Sequence, residues 1–125
     1  MPIKPDNIIL DKSKAFAIRI VNLYKYLYKN DDPLLREYVM SKQILRSGTS
    51  IGANIREAKY AHSRPDFIAK LQIALKECYE TEYWIEIAQK ASIISCDVAK
   101  SVLHDCGSIR RMLISSINTA KENTK

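Results

Sequence analysis

Apolar residues recur along this chain with a period near 3.6, in four blocks separated by short polar turns. The second block carries more than one pattern. At about 100° per residue, Ile44, Gly48, Ile51, Ile55, Ala58 and His62 fall on one line, a core stripe. Ser47, Ser50, Asn54, Glu57 and Ala61 form a small, polar line beside it, and Lys42, Arg46 and Arg56 project from the side opposite the core. A helix in a monomeric bundle needs one apolar face and one wet face. A third, small-residue face predicts close approach by another helix surface, and so a self-assembling module.

The other blocks complete the architecture. The first predicts a helix over 11–29, opened by Asp11, with Phe16, Ile20, Leu23 and Leu27 inward. Asp32 before Pro33 makes a favourable N-cap and first-turn pair, so the second helix is predicted over 33–61. It runs through Gly48 and Gly52 on the expectation that the two glycines admit a close neighbour. Ser63 caps a third helix over 64–91, with Asp66 three residues on in the manner of a capping box. Its core line is Phe67, Leu71, Ala74, Cys78, Thr81, Ile85 and Ala88. A second line, about 120° away by the helical period, holds Ile73, Glu77, Glu80, Trp84, Ile87 and Ala91. That is more apolar surface than one bundle interior covers. Ser95 caps a fourth helix over 96–121 with Val98, Val102, Cys106, Ile109, Leu113 and Ile117 inward. Four such helices joined by short turns predict an all-α, up-down-up-down antiparallel four-helix bundle.

Composition narrows this little. A chain of 125 residues with three glycines and four prolines suits one domain of long helices. The balance of 20 Lys and Arg against 14 Asp and Glu leaves +6, compatible with a polyanionic partner or with a plain solvated surface. The cations are spread along the chain rather than run together. Three cysteines, an odd number with no Cys-x-x-Cys, read as reduced core thiols of a cytoplasmic protein. No run of 18 apolar residues suggests a membrane span, and the amino terminus has no apolar run of signal-peptide type.

Tests for chemistry mostly fail. A di-iron bundle site needs Glu-x-x-His pairs, but the residues three before His62 and His104 are Lys59 and Ser101. His62 is expected as a half-buried residue near the end of its helix, and His104 as solvent-facing. Glu77 and Glu80 sit one turn apart on an apolar stripe and need partners if buried. The structural reading is an ion-pair or hydrogen-bond network with Arg46, Arg56 or the Ser50/Asn54 face; the functional one is a catalytic or metal-binding pair. No phosphate-binding loop and no nucleophile with a His/Asp partner is present. The expectation is a protein that is not an enzyme, with no cofactor, metal or small-molecule substrate. In Leu23-Tyr-Lys-Tyr-Leu-Tyr-Lys29 aromatics interleave with lysines. That pattern suits base stacking with phosphate contacts, or tyrosines covering the bundle edge.

Three stretches resemble a known family. They are Ser41-Lys-Gln-Ile-Leu-Arg-Ser-Gly-Thr-Ser-Ile-Gly-Ala-Asn-Ile-Arg-Glu-Ala58, Ser63-Arg-Pro-Asp-Phe67 and Ala74-Leu-Lys-Glu-Cys-Tyr-Glu-Thr-Glu-Tyr-Trp-Ile85. With Ala15-Phe-Ala-Ile-Arg-Ile and Arg111-Met-Leu-Ile-Ser-Ser-Ile, they are similar to the four helix bundle proteins also called 23S rRNA-intervening-sequence proteins. The resemblance implies a bacterial bundle that assembles as a homopentameric ring, in a family with no settled biochemical activity. A fold-related group, the accessory proteins of diversity-generating retroelements, is basic, pentameric and nucleic-acid-binding. It matches less well and serves only as analogy.

A ring needs two different patches on each subunit. The expected contact residues are Ser47, Ser50, Asn54 and Glu57 on one line, and Ile73, Glu77, Glu80, Trp84 and Ile87 on the other, with Trp84 as anchor. Five copies of +6 would give about +30. On this reading the ring binds RNA or DNA through backbone phosphates, with Lys42, Arg46, Arg56, Lys59 and Arg64 as candidate contacts. The alternatives are a protein scaffold or adaptor with no nucleic-acid affinity, and a metal-dependent enzyme using Glu57, Glu77 and Glu80.

Overall fold

A computed structural model describes residues 5–29 and 39–123. It contains four helices: α1 (Asn7–Tyr28), α2 (Val39–Lys59), α3 (Arg64–Lys90) and α4 (Cys96–Glu122). Among the described residues there is no strand. Each helix packs on the next in sequence, α1 on α2, α2 on α3, α3 on α4, and α4 closes more lightly back onto α1. This is the bundle that the apolar period predicts.

Local chemistry sets the helix ends. The side chain of Ser63 accepts the Asp66 amide at 3.2 Å, and that of Ser95 accepts the Val98 amide at 3.2 Å. Both caps are where the sequence places them. The first helix begins earlier than expected: Asp6, not Asp11, accepts the Ile8 amide at 2.7 Å. The extra turn buries Ile9. α2 ends at Lys59 rather than at 61, where tighter turns take over, Tyr60 N to Glu57 O and Ala61 N to Ala58 O. The expected opening at Asp32-Pro33 lies outside the described residues. α3 closes with Ser92 in the left-handed region (φ 62°). The Ile93 amide then reaches back to Ala88 O at 2.8 Å, and the Ser92 amide to Gln89 O at 3.0 Å. This pairing satisfies the last carbonyls of a helix and turns the chain.

The core follows the predicted lines closely. All seven residues of the α3 line, from Phe67 to Ala88, are buried, as are Ile44, Ile51, Ile55 and Ala58 of α2. Three positions differ, one of them His62, which α2 stops short of and leaves exposed. Leu23 is only partly covered, and Val98 is 38% exposed while Ala99 takes its place inside. Val98 lies in the first turn of α4.

The two α2 glycines serve the interior of the subunit. A methyl group on Gly48 would lie 2.8 Å from Ile20 Cγ1, and one on Gly52 would lie 3.2 Å from the Ser13 carbonyl oxygen. Their neighbour is α1 of the same chain. Ser47 is likewise internal. It is fully buried, accepts the Thr81 hydroxyl at 2.9 Å and donates to Gln43 O at 3.0 Å. The Thr81 hydroxyl has a second acceptor in Glu77 O at 2.8 Å. Ser47→Ala therefore leaves no orphaned donor. It is expected to cost about 1 kcal/mol or less in urea unfolding, and a loss above about 2 kcal/mol would show that this hydroxyl pair holds α2 to α3.

Cys78 and Cys106 face one another across α3 and α4, both buried, with the Cys106 thiol donating to Cys78 O at 3.6 Å. The adjoining Cys106 side chain and burial push the Cys78 thiol far above its ordinary value. It is a core residue, not a poised nucleophile.

Candidate functional site

Two surfaces carry the candidate residues. The first is the outer side of the α2–α3 pair. These helices run antiparallel, so the small polar line of α2 and the second line of α3 come to lie side by side. Three cross-helix contacts fix the register: Glu57 with Lys70 at 3.1 Å, Arg46 with Glu77 at 3.5 Å and with Glu80, and the buried Ser47–Thr81 pair. Ser47 thus leaves the expected contact set, because Thr81 of its own chain already covers it. Ser50 and Asn54 remain half-buried and bond to their own helix: Ser50 donates to Arg46 O at 2.6 Å, and Asn54 to Ser50 O at 2.8 Å. Such back-bonding keeps their polar atoms from needing a partner.

On α3 the second line emerges as predicted. Ile73 is 42% exposed, and Trp84 and Ile87 are half-buried. Tyr83, 55% exposed, meets Trp84 edge to face at 5.2 Å. The Trp84 indole N–H is enclosed without an acceptor among the described residues, a cost to the lone subunit of about 1–3 kcal/mol. Glu77 and Glu80 take the structural reading, since Arg46 pairs with both. Among the described residues no three His, Cys, Asp or Glu side chains gather at metal-binding distance.

The second surface is cationic, and the structure divides the expected set. Lys42 stands about 26 Å and Arg46 about 20 Å from Lys59 along α2, at about 1.5 Å per residue. Arg46 is spent on Glu77 and Glu80. Arg64 is half-buried at the start of α3. Only Arg56 and Lys59 come together, in a groove between α1 and α2 with a volume of about 550 Å³. The sequence reading missed two contributors there, Lys14 of α1 and Tyr60 just past α2. No sequence signal could have found Lys14, because it lies 42 positions before Arg56 and meets it only through the packing of α1 on α2.

Other sequence candidates settle simply. Tyr24 and Tyr28 stack on each other (5.7 Å between ring centres) at the bundle edge, leaving Tyr26 on the surface. His62 is exposed, not half-buried, because α2 stops before it; only its backbone N–H is engaged, by Asp66 at 3.3 Å. His104 is exposed as expected. Glu82, not singled out in the sequence, pairs with Arg110 at 3.0 Å and ties α3 to α4. Among the described residues no helix is long and apolar enough to cross a membrane.

The chain matches the model of the 23S rRNA-intervening sequence proteins over residues 5–115. It is similar to a protein of unknown function from the S23 ribosomal protein family of Bacteroides thetaiotaomicron VPI-5482, solved as a crystal structure at 1.70 Å. The two share 55% identity over 90% of this chain and 96% of the other, with a TM-score of 0.85. Among curated proteins, none matches the chain.

Proposed function

The chain belongs to the 23S rRNA-intervening sequence protein family, and on that premise we propose that it is a non-catalytic bundle that assembles into a cyclic homo-oligomer and presents a repeated cationic surface to RNA or DNA. The observation that carries the assembly is the α2–α3 outer face. Tyr83, Trp84 and Ile87 form a partly exposed apolar group on α3, with exposed Ile73 about three turns away beyond Glu77 and Glu80, and a soluble subunit has no use for such a group beside a polar face that is already satisfied. A second copy covers that group. The resemblance to the family favours a pentamer for the ring, and the three free thiols suit a reduced, cytoplasmic setting.

Assembly supplies the link to function. One subunit at +6 attracts polyanions weakly; several held together multiply the contacts made at once, and avidity rises accordingly. Binding through phosphates has a clear signature. For single strands the log–log slope against salt is about −0.7 per phosphate contacted. In gel-shift titrations with a structureless RNA, affinity is expected to fall at least about tenfold between 50 and 200 mM salt, with little sequence preference. A flat salt response, or no shift at low salt, overturns the nucleic-acid reading.

One observation favours a second reading. Ile8 and Ile18, on the outer side of α1, are each 56% exposed. If they stay bare in the assembled ring, a protein partner docks there and the protein is a scaffold or adaptor. That reading requires no RNA affinity at all, so the same titration separates the two.

A further inference from the structure

We propose that the groove between α1 and α2 is a nucleotide-sized seat for single-stranded RNA. Arg56, Lys59 and Lys14 take the phosphates, and Tyr60 stacks on a base. This rests on the nucleic-acid reading above and names its site.

What sets the groove apart is the convergence of three cations on one concavity. Arg19, Arg46, Lys70 and Arg110 each meet a carboxylate on a neighbouring helix. Their charge is locally cancelled, and they tie helices together. Lys14 and Arg56 make no ion pair among the described residues, and Lys59 meets only the ring of Tyr60, 5.7 Å from its nitrogen. These three cations line one concavity against a single carboxylate, Asp11. Cations left unpaired in a concave wall hold a stronger local field than the same charges spread over a convex surface.

Shape and chemistry point to a nucleotide. The volume of about 550 Å³ lies within the range of small-ligand sites. The floor is apolar where α1 and α2 touch, with Leu10, Ala17 and Ala53 around Gly52. Gly52 itself cannot carry a larger side chain without pressing on the Ser13 carbonyl. At the rim Tyr60 stands 69% exposed with the Lys59 nitrogen over its ring, an aromatic beside a lysine, the pairing that single-strand binders use for base and backbone together. A duplex keeps its bases stacked inside and offers Tyr60 nothing.

The groove also sets a limit on specificity. Two hydroxyls in its wall already donate within their own helices, Ser13 to Leu10 O at 3.1 Å and Thr49 to Leu45 O at 2.7 Å. Few donors remain to read a base edge, so oligouridine and oligoadenine are expected to bind within a few-fold of each other.

The test is fluorescence anisotropy with labelled oligouridine and with an RNA duplex of equal length at low salt. Four variants are compared with the wild-type chain: Lys14→Gln/Arg56→Gln, Tyr60→Ala, Tyr60→Phe, and Lys90→Gln/Lys100→Gln. The last pair removes the same charge from exposed sites on α3 and α4. Circular dichroism confirms that each is folded. The groove pair is expected to weaken binding about tenfold or more and to flatten the salt slope by about 1.4, two contacts at about 0.7 each. Tyr60→Ala is expected to lose about tenfold, with Tyr60→Phe retaining wild-type affinity, while the control pair changes affinity less than about threefold. Equal losses in the control and groove pairs, tighter binding of the duplex, or full affinity in the groove pair would overturn the seat while leaving the nucleic-acid reading standing. Failure of the wild-type chain to bind either RNA would overturn both.

Discussion

Trp84→Ala is expected to dissolve the assembly while leaving the subunit folded. The ring of Trp84 lies in the partly exposed group with Tyr83 and Ile87. It belongs to the second line of α3, not to the fully buried line that runs from Phe67 to Ala88. It packs against that core from outside, so its removal costs the subunit some stability but leaves the fully buried line intact. Large aromatics at the centre of a contact commonly carry about 2–4 kcal/mol of its binding, roughly 30- to 1000-fold in the dissociation constant of each contact. The effect repeats at every contact of a ring. The indole N–H has no acceptor in the lone subunit, so its loss even relieves a small cost there. Size-exclusion chromatography with light scattering should give a monomer at concentrations where the wild-type chain is assembled, with unchanged helical circular dichroism. Loss of helicity along with the assembly would place Trp84 in the subunit core and remove it as an anchor between copies.

Gly48→Leu is expected to have the largest effect on the subunit itself. α1 and α2 approach so closely at this point that even a methyl group would sit 2.8 Å from Ile20 Cγ1 and 2.9 Å from Cγ2. Ile20 is fully buried and branched at Cβ, so it cannot swing aside. Leucine forces the helices apart, at an over-packing cost of about 3 kcal/mol or more. The better helix propensity of leucine returns about 1 kcal/mol. A net loss of about 2–3 kcal/mol lowers the melting temperature by roughly 10 °C for a domain of this size. The comparison requires equal protein concentration, because assembly itself raises apparent stability. An unchanged melting temperature would mean that the α1–α2 crossing is looser than described, and with it the floor of the groove.

Much of this was legible in the sequence, and the reasons are specific. The caps at Ser63 and Ser95 and the seven-residue core line of α3 are local patterns, fixed by hydrogen-bond chemistry and helical period alone. The second α3 line was visible for the same reason. The start of α1 was misplaced because two acidic residues, Asp6 and Asp11, could each cap it, and only the packing of Ile9 decides between them. Ser47 lies inside the subunit, and sequence alone does not show it because a small polar side chain looks the same on an interface as beside Thr81. The glycines were rightly expected to admit a close neighbour, but period alone does not say whether that neighbour is α1 or another copy.

The cationic site shows the limit most clearly. Five cations near α2 looked like one patch because they share a stretch of sequence. In three dimensions the acids of α3 claim Arg46, and Arg56 and Lys59 join Lys14 from a distant part of the chain. Which charges are cancelled and which stay free is a property of helix pairing, and no count of residues along the chain contains it.

The central claim is that this subunit does not stand alone, and the absolute mass of the wild-type chain in solution tests it most directly. Light scattering on the untagged protein at tens of micromolar should return a multiple of 14.3 kDa, five-fold for the pentamer, and hold it as salt is raised, because the charged side chains of the covered face are paired within the subunit and its anchor is apolar. A mass of 14.3 kDa across that range would contradict it, leaving the half-exposed α3 face without a second copy to cover it.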